Sequence, residues 1–408
     1  MSDDCRLMTA IRFTTAGESH GKALVAVLEG VPAGLPLVAD DVNRDLKRRM
    51  MGYGRGARMK IEQDEADLLS GVRNGETLGS PIAMVIWNRD WENWADVMAA
   101  EPDDDGGRAG ERESGRRRKV TRPRPGHADL VGMLKFGRDD ARDILERASA
   151  RETAARTACG AVCRRLLGEF GVDIGSHVVA LGPVRADRIE PLPASLNDAA
   201  DASPVRCLDP KASEAMVKAV DAAVTNRDTL GGVVEVVARG LVLGLGAHVS
   251  WDRKLDGRLA RAIMSIPAIK GVEFGMGFET ARVPGSEAHD KIERGDRTTS
   301  GGFVRRSNRA GGVEGGMTTG EPLVIRAAMK PISTLRRPLD TVNTATGEAA
   351  KAQSERSDVT AVPAAAVVAE AMTALVLADA MREKFGGDSL AEMRTNYDAY
   401  VERLQRET

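Results

Sequence analysis

The segment that most constrains how this chain folds is the apolar run at 363–377, whose only charge is Glu370. It is shorter than the roughly 20 residues that cross a bilayer, and Asp379 follows closely. It therefore reads as a core helix, opened by Pro363 in its first turn and stopped near Gly386-Gly387. With 408 residues, 42% of them hydrophobic, the chain can bury one large core or two ordinary ones.

Bounded apolar stretches predict strands at 23–28, 82–87, 178–181, 233–242, 272–278 and 323–329. Helices are expected at 41–51, 139–169 with a break near Ala150, 213–225, 252–265, 363–384 and 389–405. Strict strand–helix alternation does not hold, which favours an α+β sandwich over a doubly wound sheet. No Gly-x-Gly-x-x-Gly follows a strand and opens a helix, so a Rossmann nucleotide site has no support. The 58 basic and 60 acidic residues nearly cancel, leaving no global cationic field for nucleic acid or membrane. Opposed charge blocks at 99–119, ending in Arg116-Arg117-Arg118-Lys119, read as an exposed insertion; without interleaved aromatics they make a poor nucleic-acid patch. The first residues lack an apolar stretch behind a basic start, so a cytoplasmic protein is expected. Cys5, Cys159, Cys163 and Cys207 form no CxxC pair, and Cys159 and Cys163 read as small buried thiols on one helix face rather than metal ligands.

Two loops carry a pattern suited to chemistry. In Gly17-Glu18-Ser19-His20-Gly21 a histidine, a hydroxyl and a carboxylate stand between glycines, straight after an alternating Ile11/Phe13 run. Glycine reaches backbone conformations closed to other residues, so a histidine there can be aimed at a ligand; the plain alternative is a solvated turn. In Arg122-Pro123-Arg124-Pro125-Gly126-His127-Ala128-Asp129, two prolines stiffen a non-helical lead-in to Arg124 and His127. Of the five histidines, His177 and His289 read as incidental and His248 as a strand end.

Cationic groups accompany these loops. Arg48, Arg49, Arg55 and Arg58 bracket Gly52-Tyr53-Gly54, so their guanidinium groups are expected to converge on a hinge and to suit a polyanionic small molecule. The helix dipole alone already accounts for Arg48. Ser149 with Glu152 predicts a capping box at a helix start, whose free N–H groups favour a phosphate or an electron-rich ring edge. Alanines at 148, 150, 154, 155, 158 and 161 leave room for close packing. The glycine-rich stretch 308–316 can lie flat against a ligand, and Lys330-Pro331-Ile332-Ser333-Thr334 offers a charge and two hydroxyls to a phosphate. Asp358 reads as a base or, taken alone, as the cap of the apolar helix.

Together these segments resemble the chorismate synthase family, with matches at 17–21, 122–130, 147–155, 265–271, 308–316, 330–334 and 356–363 in the family's order. The resemblance implies one family domain over 1–408, with the insertion at 99–119 and a helical tail at 389–408, built as a sandwich of helices and largely antiparallel sheets. It implies 1,4-anti elimination of phosphate from 5-enolpyruvylshikimate 3-phosphate to give chorismate, the last common step toward the aromatic amino acids. Reduced FMN would be required without net redox change, in a homotetramer. By motif, His20 would protonate the departing phosphate, His127 would sit by the flavin, and Asp358 would assist at its N5 edge. FMN would be lined by Arg147, Ala148, Ser149, Pro267, Ala268, Gly315, Lys330, Pro331, Ile332, Ser333, Thr334 and Arg356. Arg49 and Arg55 would serve the substrate or NADPH. Pro267 stands where many members have Asn or Gln, so only a contact through its carbonyl carries over. An NADPH-dependent flavin reductase is the alternative activity, for which no dedicated nicotinamide site is legible.

Overall fold

A computed structural model describes residues 10–56, 63–101, 118–295, 300–354 and 358–406. Cys5, Arg58, Arg356 and most of the predicted insertion, 102–117, lie outside the described residues. Strands Arg12–Ala16 (β1), Ala23–Glu29 (β2), Ala66–Leu68 (β3) and Ile82–Trp87 (β4) form one sheet in the order β1-β2-β4-β3. Strands Asp173–Leu181 (β5), Val184–Arg185 (β6), Gly232–Arg239 (β7), Ile269–Phe274 (β8) and Leu323–Met329 (β9) form a second, in the order β8-β9-β7-β5-β6. Every neighbouring pair in both sheets is antiparallel, as the α+β reading expects. Alternation sets the faces: Leu24, Ala26 and Leu28 of β2 are buried, as are Leu323, Ile325 and Ala327 of β9, while the residues between them are less so.

The principal helices are Ala39–Met50 (α1), Asp129–Phe136 (α2), Thr153–Gly168 (α3), Pro210–Asn226 (α4), Leu255–Met264 (α5), Val362–Phe385 (α6) and Leu390–Arg406 (α7). Helix α3 packs on β2 and β4, α6 packs on β5 and β7, and the two helices pack on each other between the sheets. Helix α6 is apolar enough to pass a membrane-span test by composition, yet it is buried inside the protein along nearly its whole length. It is the core helix expected from 363–377. Its approach to α3 is close enough that a Cβ on Gly160 would lie 2.4 Å from the Ala371 Cβ, so what packs on the alanine-rich helix is α6 itself. Cys159, Cys163 and Cys207 are buried free thiols, and burial pushes the Cys159 thiol up to about 12.

Several boundaries differ from expectation. The predicted 139–169 helix is a turn at Arg142–Leu145, a 3-10 turn at Ala150–Glu152 and then α3. Ser149 accepts from the Arg151 N–H as a cap does. Glu152 does not complete the box: its carboxylate takes Thr15 and Arg156 instead, where charge-assisted bonds outweigh a neutral backbone donor. The strand predicted at 272–278 ends at Phe274, because Gly275 and Gly277 both adopt positive φ. The one at 233–242 turns at Gly240.

Midway along α6, Glu370 is fully buried and accepts a bidentate Arg48 fork at 2.9 Å per bond, together with Arg164, Arg206 and the Ser176 hydroxyl. Asp45 and Asp201 take the remaining donors of Arg48 and Arg164. Of the arginines read as one ligand cluster, Arg48 is turned into this network by its carboxylates and does not join the others. Burial pushes the Glu370 carboxyl up, but the charges of Arg164, Arg48 and Arg206 outweigh it and hold it at about 2. Its folded value lies below the ordinary 4.5, so its contribution to stability is complete above that pH and drains away as pH falls toward 2. Glu370→Ala should lower stability by about 3–5 kcal/mol at pH 7, because three guanidinium groups lose their shared partner, and should flatten the acid dependence of the urea midpoint. An unchanged midpoint would mean that Asp45 and Asp201 hold the arginines unaided.

Candidate functional site

The His20 loop is the turn between β1 and β2. It needs glycine at 17, where φ is +103° and a Cβ would stand 2.3 Å from the Ala23 carbonyl oxygen. The Asn88 side-chain amide donates to the Glu18 and Gly21 carbonyls at 3.2 and 2.6 Å, and the Ser19 N–H donates to the Glu146 carbonyl at 2.9 Å. Glu146, only 2% exposed, presents its carboxylate beneath the loop. That group takes the Ser19 hydroxyl at 2.5 Å, the His20 N–H at 3.0 Å and His20 Nδ1 at 2.9 Å. Arg142 adds a bond at 3.3 Å. Trp94 stacks on the His20 ring with centroids 3.9 Å apart, and the Arg142 guanidinium lies 5.2 Å from the indole. Burial pushes the Glu146 carboxyl up, but hydrogen bonding and charge from His20, with Ser19 and Arg142, overcome this and hold it below the usual range.

The His127 loop is built on the same plan. Fully buried Asp129 accepts His127 Nδ1 at 2.5 Å and Arg124 through Nε at 2.8 Å and Nη2 at 3.1 Å. Burial alone would raise its carboxyl; the bonds from His127 and Arg124 bring it well below the carboxylate range. Arg124 reaches on to the Thr334 hydroxyl at 2.8 Å. Lys330 Nζ donates to the Gly126 carbonyl at 3.0 Å and to Ser333 at 2.9 Å, and Ser333 itself donates to Gly126. The 122–129 and 330–334 segments, far apart in sequence, are therefore one structure. Ile332, which follows Pro331, accepts at its carbonyl from Thr229. Ala268, at φ +70° after Pro267, accepts the Lys330 N–H at 2.9 Å.

Arg147 grips the end of β1, donating to the Gly17 carbonyl at 3.1 Å and to Thr15 at 2.8 and 2.9 Å. Ala148 and Ser149 continue from it into the start of α3. Arg49 is turned inward onto Asp64, Thr153 and the Ala150 carbonyl, where burial brings it down to about 10 despite Asp64. Arg151 joins the same strut through Asp64 and Asn88. Arg55 pairs with Asp358 at 3.2 Å, and the other Asp358 oxygen takes the Gly56 N–H at 2.6 Å. Asp358 is thus not the cap of α6, whose N-terminal cap position is Ala361 with Pro363 in the first turn; the Arg55 charge and an N–H on the facing loop claim it. Gly315 turns the hairpin of Val313–Glu314 with Met317–Thr318, which rests against α5 through Gly316 and Leu255.

Between the two histidine loops opens a cavity of about 1220 Å³. Its lining includes the carboxylates of Glu18, Asp96, Asp140, Asp143 and Glu146, the basic groups of Lys119, Arg138, Arg142 and Arg147, His127 and Ala148, and the apolar side chains of Val97, Met98, Val131, Phe136 and Ile144. Charged and apolar side chains around one cavity suit a ligand that is part polar and part planar ring, with Lys119, Arg138, Arg142 and Arg147 as the cations an anionic group would meet. Glu146, Trp94 and Asp64 were not singled out from the sequence. Glu146 directly precedes the Arg147 motif, the one signal that could have marked it.

The family model described as chorismate synthase matches residues 11–382. The chain is 59% identical over 399 residues to the chorismate synthase of Streptomyces coelicolor, covering 97% of this chain and 99% of that protein. It is 58% identical over 397 residues to that of Thermobifida fusca, with the same coverage. A solved crystal structure of a chorismate synthase superposes with a TM-score of 0.76 at 42% identity, covering 97% of this chain and 98% of that one.

Asp129→Ala should cost on the order of 3–5 kcal/mol, because it strands a buried guanidinium at Arg124. Urea unfolding measures this, and a near-neutral result would show that Thr334 suffices to hold Arg124.

Proposed function

This chain belongs to the chorismate synthase family and is a lyase, and we propose that it expels phosphate from 5-enolpyruvylshikimate 3-phosphate by 1,4-anti elimination, giving chorismate with reduced FMN as cofactor. The observation that carries this reading is the pair of imidazoles, each with Nδ1 on a buried carboxylate, in loops that contribute Glu18 and His127 to one cavity of mixed charged and apolar lining. The substrate brings two carboxylates and a phosphate, and FMN another phosphate, which gives the surrounding arginines and Lys330 a purpose.

The residues fit a flavin. The apolar side chains of Val97, Met98, Val131, Phe136 and Ile144 suit an isoalloxazine, and Arg147 stands at the same cavity. Arg147, Ala148, Ser149, Pro267, Ala268, Gly315, Lys330, Pro331, Ile332, Ser333, Thr334 and Arg356 would hold it, Pro267 through its carbonyl. When bound there, the reduced flavin would supply electron density to cleavage of the allylic C–O bond, without net redox change. Burial lowers the Lys330 ammonium from its ordinary value, with Lys270 adding repulsion, and an anion beside it would act in the opposite direction.

The protein's own part is protons and position. A carboxylate only accepts, so Glu146 holds the His20 Nδ1–H, and the acid form of the ring carries a second proton on Nε2, which passes to the departing phosphate and leaves the Nδ1–H tautomer behind. His127, held likewise by Asp129, keeps a proton at the flavin edge. Asp358, paired with Arg55 at 3.2 Å, would assist at the flavin N5 edge. Arg49 supports the site from within, by fixing the start of α3.

The same reading makes the chain one cytoplasmic domain acting at the last common step of aromatic amino acid synthesis, and a homotetramer. Exposed Val249, Trp251 and Phe278 support association.

Incubated without air with 5-enolpyruvylshikimate 3-phosphate, the purified protein should release phosphate only when chemically reduced FMN is present. His20→Ala and His127→Ala should each slow release by about a hundredfold or more. No release from the unaltered protein would overturn the reading.

A further inference from the structure

The His20 loop is held in place without the Glu146 carboxylate. Main-chain and side-chain bonds from Asn88, Arg147 and the Glu146 carbonyl already fix its path at Gly17, Glu18, Ser19 and Gly21. Beyond the Ser19 hydroxyl and the His20 N–H, what the carboxylate adds is its hold on the ring. Both oxygens lie within hydrogen-bond reach of Nδ1, at 2.9 and 3.0 Å, and the remaining donors around them are Ser19, the His20 N–H and Arg142. Four donors fill the acceptor sites of a carboxylate, so Glu146 has none to spare for a ligand. The Trp94 stack covers one face of the ring, and Arg142 bridges indole and carboxylate. His127 draws its carboxylate from two residues away in its own loop; His20 draws one from 126 residues away, at a cost in buried charge that a turn would not need.

We infer that Glu146 is a positioning residue for the elimination, holding the His20 Nδ1–H so that the doubly protonated ring directs its Nε2–H toward the leaving phosphate and the neutral ring rests as the Nδ1–H tautomer, with Trp94 preventing the ring from turning. The inference rests on the reading of His20 as proton donor. An amide cannot replace the carboxylate. With its nitrogen at one oxygen position it faces the His20 N–H, and at the other it faces Arg142, so in either orientation a donor meets a donor. The neutral ring must then release its bond or change tautomer, and the doubly protonated ring loses the carboxylate that aims its Nε2–H at the leaving phosphate.

The test compares Glu146→Gln with His20→Ala in the anaerobic phosphate-release assay. It adds flavin binding followed by fluorescence, and nitrogen-15 spectra of histidine-labelled protein at alkaline pH, with the His20 signals assigned by their loss in His20→Ala. Glu146→Gln should lower kcat by about 10²–10⁴-fold, with KM and flavin affinity little changed. The His20 signal should shift from Nδ1-protonated toward Nε2-protonated. Glu146→Asp, which keeps the charge one methylene further back, should recover part of the rate and the original tautomer; it is also the variant to measure if Glu146→Gln does not fold. A slow His20→Ala beside a fast Glu146→Gln, an unmoved tautomer, or flavin affinity lost together with rate would each overturn this inference while leaving the lyase reading intact. A His20→Ala variant of full activity would instead remove the proton-donor role on which the inference stands.

Discussion

The fold hangs on the charge placed inside its most apolar helix. Glu370 ties α6 to α1 through Arg48, to α3 through Arg164, and to the β5 sheet through Arg206 and Ser176. Taking these charges out of water consumes most of what their attraction returns, so the cluster's value lies less in net stability than in register. A bidentate fork at 2.9 Å per bond tolerates little sliding. A helix apolar on every side could otherwise rotate or shift by a turn against α3 at small cost, whereas with Glu370 in place one alignment satisfies the arginines. The Gly160 contact with Ala371 enforces the same alignment by shape.

That alignment reaches the cavity through α3. Its first residues are gripped from below by Arg49 on Thr153 and Ala150, and Arg151 extends the grip through Asp64 and Asn88 to the His20 loop. A displacement of α3 against α6 would therefore be passed to Glu18 and Gly21 along bonds of about 3 Å, with no flexible link between. The core and the candidate site are one mechanical unit at this end of the molecule.

What was legible in the sequence follows from which forces are local. Strands at 23–28, 82–87 and 323–329 are set by alternation and turn residues, and the structure has them within a residue. Helix α6 announced itself by the apolar run at 363–377, in which Glu370 is the single charge. The histidine loops were visible because glycine and proline are local instructions. The arginines were not so readily understood. A guanidinium near a glycine hinge looks the same in sequence whether it awaits a ligand or a carboxylate three elements away, and Arg48 and Arg49 proved to face inward. Asp358 and Glu152 misled for the same reason. Capping rules rank a carboxylate against nearby N–H groups, and neither rule knows that an arginine will arrive from elsewhere.

The two histidines illustrate this difference within one site. Asp129 follows His127 by two residues and is read in the same glance, so that dyad is assembled by its own loop. Glu146 meets His20 only after the β1–β2 turn, the Arg142–Leu145 turn and the Trp94 segment have been brought together. A partnership of this second kind reports on the whole fold: it exists only when two distant segments and an indole are in place. The first imidazole can be oriented in any state that keeps its loop. The other is oriented only in the finished structure, and that makes the setting of His20 the more exacting readout of whether this chain has folded into a working site.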